Sequence, residues 1–224
     1  MQINVKMIPL KREDSIKAIG SVNLGEITVR NFTLMQNSKG ELFLNMPNRD
    51  TGKTDPDGKK IYEEIAHPIT KEMRDALNNA AIESYKTGHP VFLRDNEDGK
   101  LLIEAEAFDR PFYNRVGKGQ MRIDDKFVIK DIFINEAKDK NLYVSFPNYK
   151  TNKLDQNGKN IYSQIIMMAP EFKQRVSEAL INEFNMEMEH KRENRMSIKS
   201  RLAEANEKVK TQTKNSEKAK EVCL

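Results

Sequence analysis

Cysteine is almost absent from this sequence, which has one, Cys223, in 224 residues. A single thiol can form neither an intramolecular disulfide nor a cysteine-based metal site, so a reducing compartment is expected. Tryptophan is missing, and the longest apolar run, residues 165–169, is far shorter than the roughly 20 residues that cross a bilayer. The first residues alternate apolar and polar instead of forming the apolar stretch of a secretory signal. We therefore expect a cytoplasmic protein without a membrane partner.

Signatures of catalysis are also lacking. The sequence has no phosphate-binding loop, dinucleotide fingerprint, nucleophile elbow or zinc-protease motif. Its three histidines, His67, His89 and His190, have no spacing suited to zinc. General acid–base catalysis needs two carboxylates in one cleft, whereas the paired acids here are simplest to interpret as solvated. We predict no enzymatic activity, no cofactor and no metal site.

What the sequence does contain is an internal repeat with a period of 100 residues, which indicates a duplicated module. Residues 29–65 align without a gap to residues 129–165. The identical positions in the first copy are Leu42, Pro47, Asn48, Thr51, Lys53, Asp55, Gly58, Lys59, Ile61, Tyr62 and Ile65. A run of this length does not arise by chance, so the same structural unit is predicted twice.

Apolar and polar residues alternate at residues 3–7, 42–46 and 142–146, which is typical of half-buried antiparallel strands. Each copy then ends in an amphipathic pattern; in the first, Thr70 marks the beginning of a helix and Gly88 its end. In the second, Pro170 suits the first helical turn. The prediction is an α+β protein: two tandem modules, each an antiparallel meander of four or five strands with one C-terminal helix.

Composition changes after about residue 186. The last 39 residues contain 10 Lys or Arg and 7 Glu, so they hold +3 of the formal net charge of +4. The apolar stripe in this segment is too short to specify a coiled coil. We define copy one as residues 1–88 and copy two as residues 101–186, and we predict a linker at 89–100 and a charged tail, helical or disordered, at 187–224.

Four segments of copy one match a known family: GEITVRNF at residues 25–32, GELFLNMP at 40–47, Asp57-Gly58, and EIAHPI at 64–69 before the helix. Through these segments copy one resembles the SpoVG family of sporulation and septation proteins. Copy two is degenerate, with Met167-Met168 in place of the His-Pro pair. The resemblance implies a bacterial regulator that binds DNA or RNA, with a link to septation or sporulation. Since members of the family are single modules that dimerise, it also implies that a fused pair forms an intramolecular pseudo-dimer.

The candidate nucleic-acid contacts are basic residues of the paired loops and helices, because Lys and Arg in such positions can neutralise phosphates. They are Arg49, Lys53, Lys59, Lys60 and Arg74 in copy one, and Lys150, Lys153, Lys159 and Arg175 in copy two. Copy one is expected to contribute more, since Tyr149 and Asn160 replace two of its basic residues. Tyr62 and Tyr162 are interpreted either as rings that stack on bases or as rings packed under the loops.

A second function remains open. The charged tail or a sheet edge could recruit a protein, giving a non-catalytic adaptor without nucleic-acid affinity, or a higher oligomer. A salt titration of DNA and RNA binding separates the two hypotheses, because phosphate contacts release counterions and adaptor contacts do not.

Overall fold

The computed structural model describes residues 1–11, 14–94 and 99–221, with side chains at all of these except 152 and 202–221. Two compact units divide the chain: Met1–Phe184, and a second that begins at Asn185. Within the described ranges, neither helix combines the length and apolar composition that a bilayer crossing requires.

Copy one folds into seven strands and a helix. In order they are β1 (Gln2–Pro9), β2 (Ile16–Leu24), β3 (Ile27–Gln36), β4 (Leu42–Asn45), β5 (Asn48–Thr54), β6 (Lys60–Glu64), β7 (Ala66–Pro68) and α1 (Lys71–Thr87). The Thr70 hydroxyl accepts a hydrogen bond from the Met73 N–H, and Gly88 ends the helix in the left-handed conformation. Both predicted ends of this helix are confirmed, although Ile69 lies outside it.

Copy two repeats this order. After β8 (Val91–Arg94) come β9 (Leu101–Phe112), β10 (Arg115–Ile123), β11 (Phe127–Glu136), β12 (Leu142–Ser145), β13 (Asn148–Leu154), β14 (Asn160–Gln164), β15 (Ile166–Met168) and α2 (Pro170–Glu221). Strand β8 lies in the segment predicted as a linker and pairs with β1 at the sheet edge. The predicted tail is helical to Glu221, where α2 ends.

The α+β prediction is confirmed, and the two copies are joined by an exchange of strands. The first sheet has the order β15-β3-β2-β1-β8 with β4 beside β3, and the second has the order β12-β11-β10-β9 with β7 beside β11. Strand β7 of copy one thus pairs with copy two, and β15 of copy two pairs with copy one. The Lys130 N–H donates to the Ile65 carbonyl at 2.7 Å, and the Arg30 N–H donates to the Ile165 carbonyl at 2.8 Å.

One hydrophobic core extends through both copies. Ile65 and Ile165, at equivalent positions beside the exchanged strands, are 4% and 1% exposed and belong to the same buried cluster as Leu77 of α1 and Leu180 of α2. Helix α1 packs on β1, β4 and β8, and Leu180 and Phe184 of α2 lie over Gly119 and Gly117 of β10. The outer face of each sheet therefore remains free of a helix and can meet a ligand.

Candidate nucleic-acid interface

Two hairpins project from the sheets, and their backbones are built in the same way. The first hairpin is residues 48–64 and the second is residues 148–164. In each, a threonine hydroxyl, Thr51 or Thr151, donates at 2.8 Å to the carbonyl of residue 61 or 161. The carboxylates of Asp55 and Asp155 accept backbone N–H groups at the turns. The repeated residues thus fix the hairpin shape, because Asx turns replace backbone hydrogen bonds at the tip.

The charges on the two hairpins differ. The first hairpin has four basic residues and five acidic ones, whereas the second has three lysines and a single acid, Asp155. Asp50 in the first hairpin is replaced by Lys150 in the second, and Glu63 by Ser163. Of the two hairpins, only the second therefore presents a net positive charge to a polyanion.

Arg49, a predicted phosphate contact, is held between two carboxylates. Its Nη2 lies 2.7 Å from Glu63 Oε2, and its Nε lies 2.5 Å from Oδ2 of Asp131 in copy two. Burial raises the pKa of Asp131, as does Glu63, while Arg49 and Arg115 act in the opposite direction. This guanidinium already serves as a link between the copies.

Three more predicted contacts are also paired with acids. Lys60 Nζ lies 2.8 Å from Asp50 Oδ2, and this hydrogen bond lowers the pKa of Asp50 and raises that of Lys60. Arg74 binds both oxygens of Glu64, at 3.2 and 2.9 Å. Arg175 Nη2 lies 3.7 Å from Glu26 Oε1. Such pairs near the surface can break, but a phosphate that binds there must compete with a carboxylate.

The remaining five predicted contacts, all lysines, are exposed and have no carboxylate partner among the described residues. They are Lys53 and Lys59 of the first hairpin, and Lys150, Lys153 and Lys159 of the second. Tyr162 on β14 is the cross-strand partner of Lys150 on β13. Its ring is exposed, as is the ring of Tyr62. Neither tyrosine packs under its loop.

The outer faces of the sheets show the same contrast. We call the outer face of the first sheet the basic face, because the six strands of that sheet contain no Asp or Glu. Its cations are Lys6, Lys17, Arg30 and Arg94. Lys6, Ser21 and Arg30 face one another across three adjacent strands, which places the Cα atoms of the two cations about 10 Å apart. The Arg30 guanidinium contacts Met167 Sδ at 3.4 Å, an uncharged acceptor.

The outer face of the second sheet, which we call the paired face, has its charges matched. Lys118 Nζ lies 3.0 Å from Glu106 Oε2, and Arg122 Nη2 lies 2.8 Å from Glu104 Oε1. The strands of this sheet contain five acidic and five basic residues. Its charge sums to zero, so it offers an anion little net attraction.

A groove lies where each hairpin meets the opposite copy's sheet. Tyr149 of the second hairpin lines a groove of about 420 Å³ on the basic face with Lys6 and Arg30. Arg49 of the first hairpin lines a groove of about 560 Å³ on the paired face with Glu104 and Asp131. The second hairpin and the basic face therefore form one continuous surface without a matching set of acids.

The basic face was missed by the sequence analysis. Lys6, Lys17 and Arg30 alternate with apolar residues, and this alternation was used to predict strands but not to ask which charges share an outer face. The lack of Asp and Glu in those strands could have revealed the basic face from the sequence. The pairing of Arg49 with a residue 82 positions away could not be predicted in this way, because it depends on how the copies pack.

Comparison with known proteins assigns the first half of the chain. A family model described as SpoVG matches residues 1–87. Similar proteins named as SpoVG septation proteins occur in Caldicellulosiruptor saccharolyticus (36% identity, 38% of this chain, 92% of the relative), Exiguobacterium sp. (38%, 38%, 81%) and Agathobacter rectalis (34%, 39%, 94%). Each alignment covers about 88 residues, so these relatives have about the length of one copy.

Proposed function

This chain belongs to the SpoVG family of septation proteins, and we propose that it is a regulatory protein that binds nucleic acid through the second hairpin and the basic face. One observation supports this most directly: a continuous set of cations without acids on the sheet beneath. Lys and Arg that neutralise phosphates release counterions, which gives affinity that is tolerant of sequence and sensitive to salt. No covalent chemistry is part of this function.

The ion pairs support the reverse of the order expected from the sequence for the two copies. Arg49 and Lys60 are already bound to carboxylates, so a phosphate can contact either of them only by displacing an acid. The three lysines of the second hairpin are not matched. We therefore expect copy two's hairpin to contribute more to binding than copy one's.

The test is a salt titration of labelled DNA and RNA binding, followed by anisotropy from about 25 to about 300 mM salt. Replacing Lys150, Lys153 and Lys159 by Ala should weaken binding to every sequence and flatten the slope of log affinity against log salt. The flattening should be about 0.7 per lost contact on a single strand and about 0.9 on a duplex. The matched control replaces Arg49, Lys53, Lys59 and Lys60, and should have the smaller effect.

Two results would oppose the proposal. A folded wild-type protein that binds neither DNA nor RNA at low salt would favour the adaptor hypothesis. Binding with no slope against salt would mean that phosphate neutralisation is not its basis.

A further inference from the structure

Exposed aromatic rings stand among the cations of the basic face. Phe92 on β8 is 59% exposed, and Phe43 on β4 is 41% exposed. Tyr149 lines the groove on this face. Among the described residues, none of these three rings has an aromatic or cation contact. Phe92 and Phe43 are large apolar surfaces that water covers in the free protein, whereas Tyr149 is half-buried against the core and lines the groove with the rest of its side chain.

Two aromatic residues on the paired face, Phe133 and Tyr143, already have partners. The Arg115 guanidinium lies 3.9 Å above the ring centroid of Phe133. The Tyr143 hydroxyl accepts a hydrogen bond from the Asn114 side chain. Phe112 at the end of β9 and Tyr113 after it are 65% and 89% exposed and contact each other edge to face. A base that stacked on Phe133 would have to displace the Arg115 guanidinium, so this ring is less available than Phe92.

The register of the first sheet sets the spacing of rings and charges. Phe92 on β8 pairs with Asn4 on β1, and Lys6 is the next residue of β1 that points to the outer face. Diagonal neighbours of this kind are about 7 Å apart, which brings a long side chain within reach of the ring or of a ligand on it. Arg30 stands two strands farther on, in line with Lys6.

From this arrangement we infer that the basic face binds one unpaired nucleic-acid strand, with Phe92 and Tyr149 stacking on bases and Lys6 and Arg30 contacting phosphates. This inference rests on the proposed function and names its ligand class. An open sheet with exposed aromatic rings can stack two or three bases, and each stacked base adds roughly 1–3 kcal/mol, about a 5- to 150-fold gain in affinity. Paired bases in a duplex do not present their faces to such a surface.

One strand per chain follows from the difference between the copies. By strand register Glu104, which pairs with Gln120, takes the place of Lys6, which pairs with Ser21. Asp131 takes the place of Asn31, and Arg49 in copy one takes the place of Tyr149. These substitutions add carboxylates and remove an aromatic ring at the second groove. Strand β8, which carries Phe92, also has no counterpart in the second sheet. The pseudo-dimer thus repeats its other strands but has a single site for its ligand.

The experiment compares a labelled single-stranded oligonucleotide of about 20 nucleotides with the duplex of the same sequence, using the full chain. The single strand should bind at least tenfold more tightly and with one strand per chain. Phe92→Ala and Tyr149→Ala should each lower single-strand affinity roughly tenfold without changing the salt slope, and Tyr149→Phe should restore it. The pair Lys6→Gln and Arg30→Gln should flatten the slope instead.

Matched variants on the paired face serve as controls. Tyr143→Ala removes a ring that is 44% exposed, and Lys118→Gln with Lys130→Gln removes two cations. These should leave binding unchanged, and the thermal unfolding midpoint should show that each variant is folded. Equal affinity for duplex and single strand, or unaltered binding by Phe92→Ala and Tyr149→Ala, would overturn the inference while leaving the proposed function in place. A wild-type protein that binds neither probe would overturn both.

Discussion

The basic face and the paired face lie on equivalent strands, apart from the additional edge strand β8 of the first sheet, but they carry different charges. Strands β3 and β11 carry a bulge at equivalent positions, where Asn31 and Asp131 both have positive φ. Asn and Asp tolerate this conformation, so the backbone does not distinguish them. The change from the Asn31 amide to the Asp131 carboxylate therefore alters only the charge at this position. The added negative charge would weaken the binding of an anionic ligand.

The buried positions and the turn positions, by contrast, are alike in the two copies. Ile65 and Ile165, Leu77 and Val176, and the turn residues Asp55 and Asp155 perform equivalent tasks in both copies. Packing and turn geometry restrict these residues, because a changed core volume or an unsatisfied turn costs stability. An outer face is restricted only by solubility and binding, and there the two copies can differ.

The largest expected effect concerns the shared core. Ile65→Ala and Ile165→Ala should each destabilise the protein by about 2–5 kcal/mol, since each removes buried methyl groups beside an exchanged strand. Because the strands cross between copies, unfolding should remain one cooperative transition in both variants. Calorimetry and denaturant titration measure this. Two separate transitions, with each mutation affecting one of them, would mean that the copies fold independently.

A second prediction converts the paired face into a basic one. Glu104→Lys with Asp131→Asn places on copy two the side chains that copy one has at those positions. Freed from these carboxylates, Arg122 and Arg49 can meet phosphate, and the salt slope should steepen by about 0.7 for each new single-strand contact. Titration calorimetry should show the stoichiometry rising toward two strands per chain.

Glu72→Lys provides the control for that gain. Glu72 is exposed in the first turn of α1, away from both outer faces, and its substitution makes the same change in net charge as Glu104→Lys. If it increases affinity as much as Glu104→Lys alone does, net charge and not the position on the face determines binding.

The smallest expected effect is a pH dependence confined to one copy. His67 on β7 is largely buried, and its Nδ1 lies 3.6 Å from Glu64 Oε2, beyond hydrogen-bond distance. Burial and the charges of Lys130 and Arg74 lower the pKa of His67, although Glu64 opposes them. A base with a lowered pKa contributes stability above its unfolded pKa, near 6.5, and loses it as pH falls through the folded value.

His67→Met, which introduces the residue that copy two has there, should therefore remove part of the fall in melting temperature between about pH 7.5 and about pH 5.5. Glu64, whose pKa is lowered by Arg74, His67 and Lys130 against the effect of burial, adds its own loss only at more acidic pH. Thermal melts across this range measure the difference. An unchanged pH profile in the variant would show that His67 does not couple protonation to folding.

The sequence by itself determined the repeat, the α+β class, the ends of α1 and the shape of the hairpins. These features depend on residues close together in the chain: Thr70 with Met73, Gly88 with Ser84, Asp55 with Lys59. Hydrophobic periodicity and the residues that form turns and helix caps are local features, so they can be recognised in the sequence without knowledge of the fold.

Only the tertiary structure decided which cations are available to a ligand. Arg49 meets Asp131 because the first hairpin lies over the second sheet, and Tyr149 reaches Lys6 and Arg30 because the second hairpin lies over the first. Both contacts depend on the exchange of β7 and β15, which no local pattern encodes. Charge acts through space, so whether a lysine or arginine can bind phosphate depends on the acids that folding brings beside it.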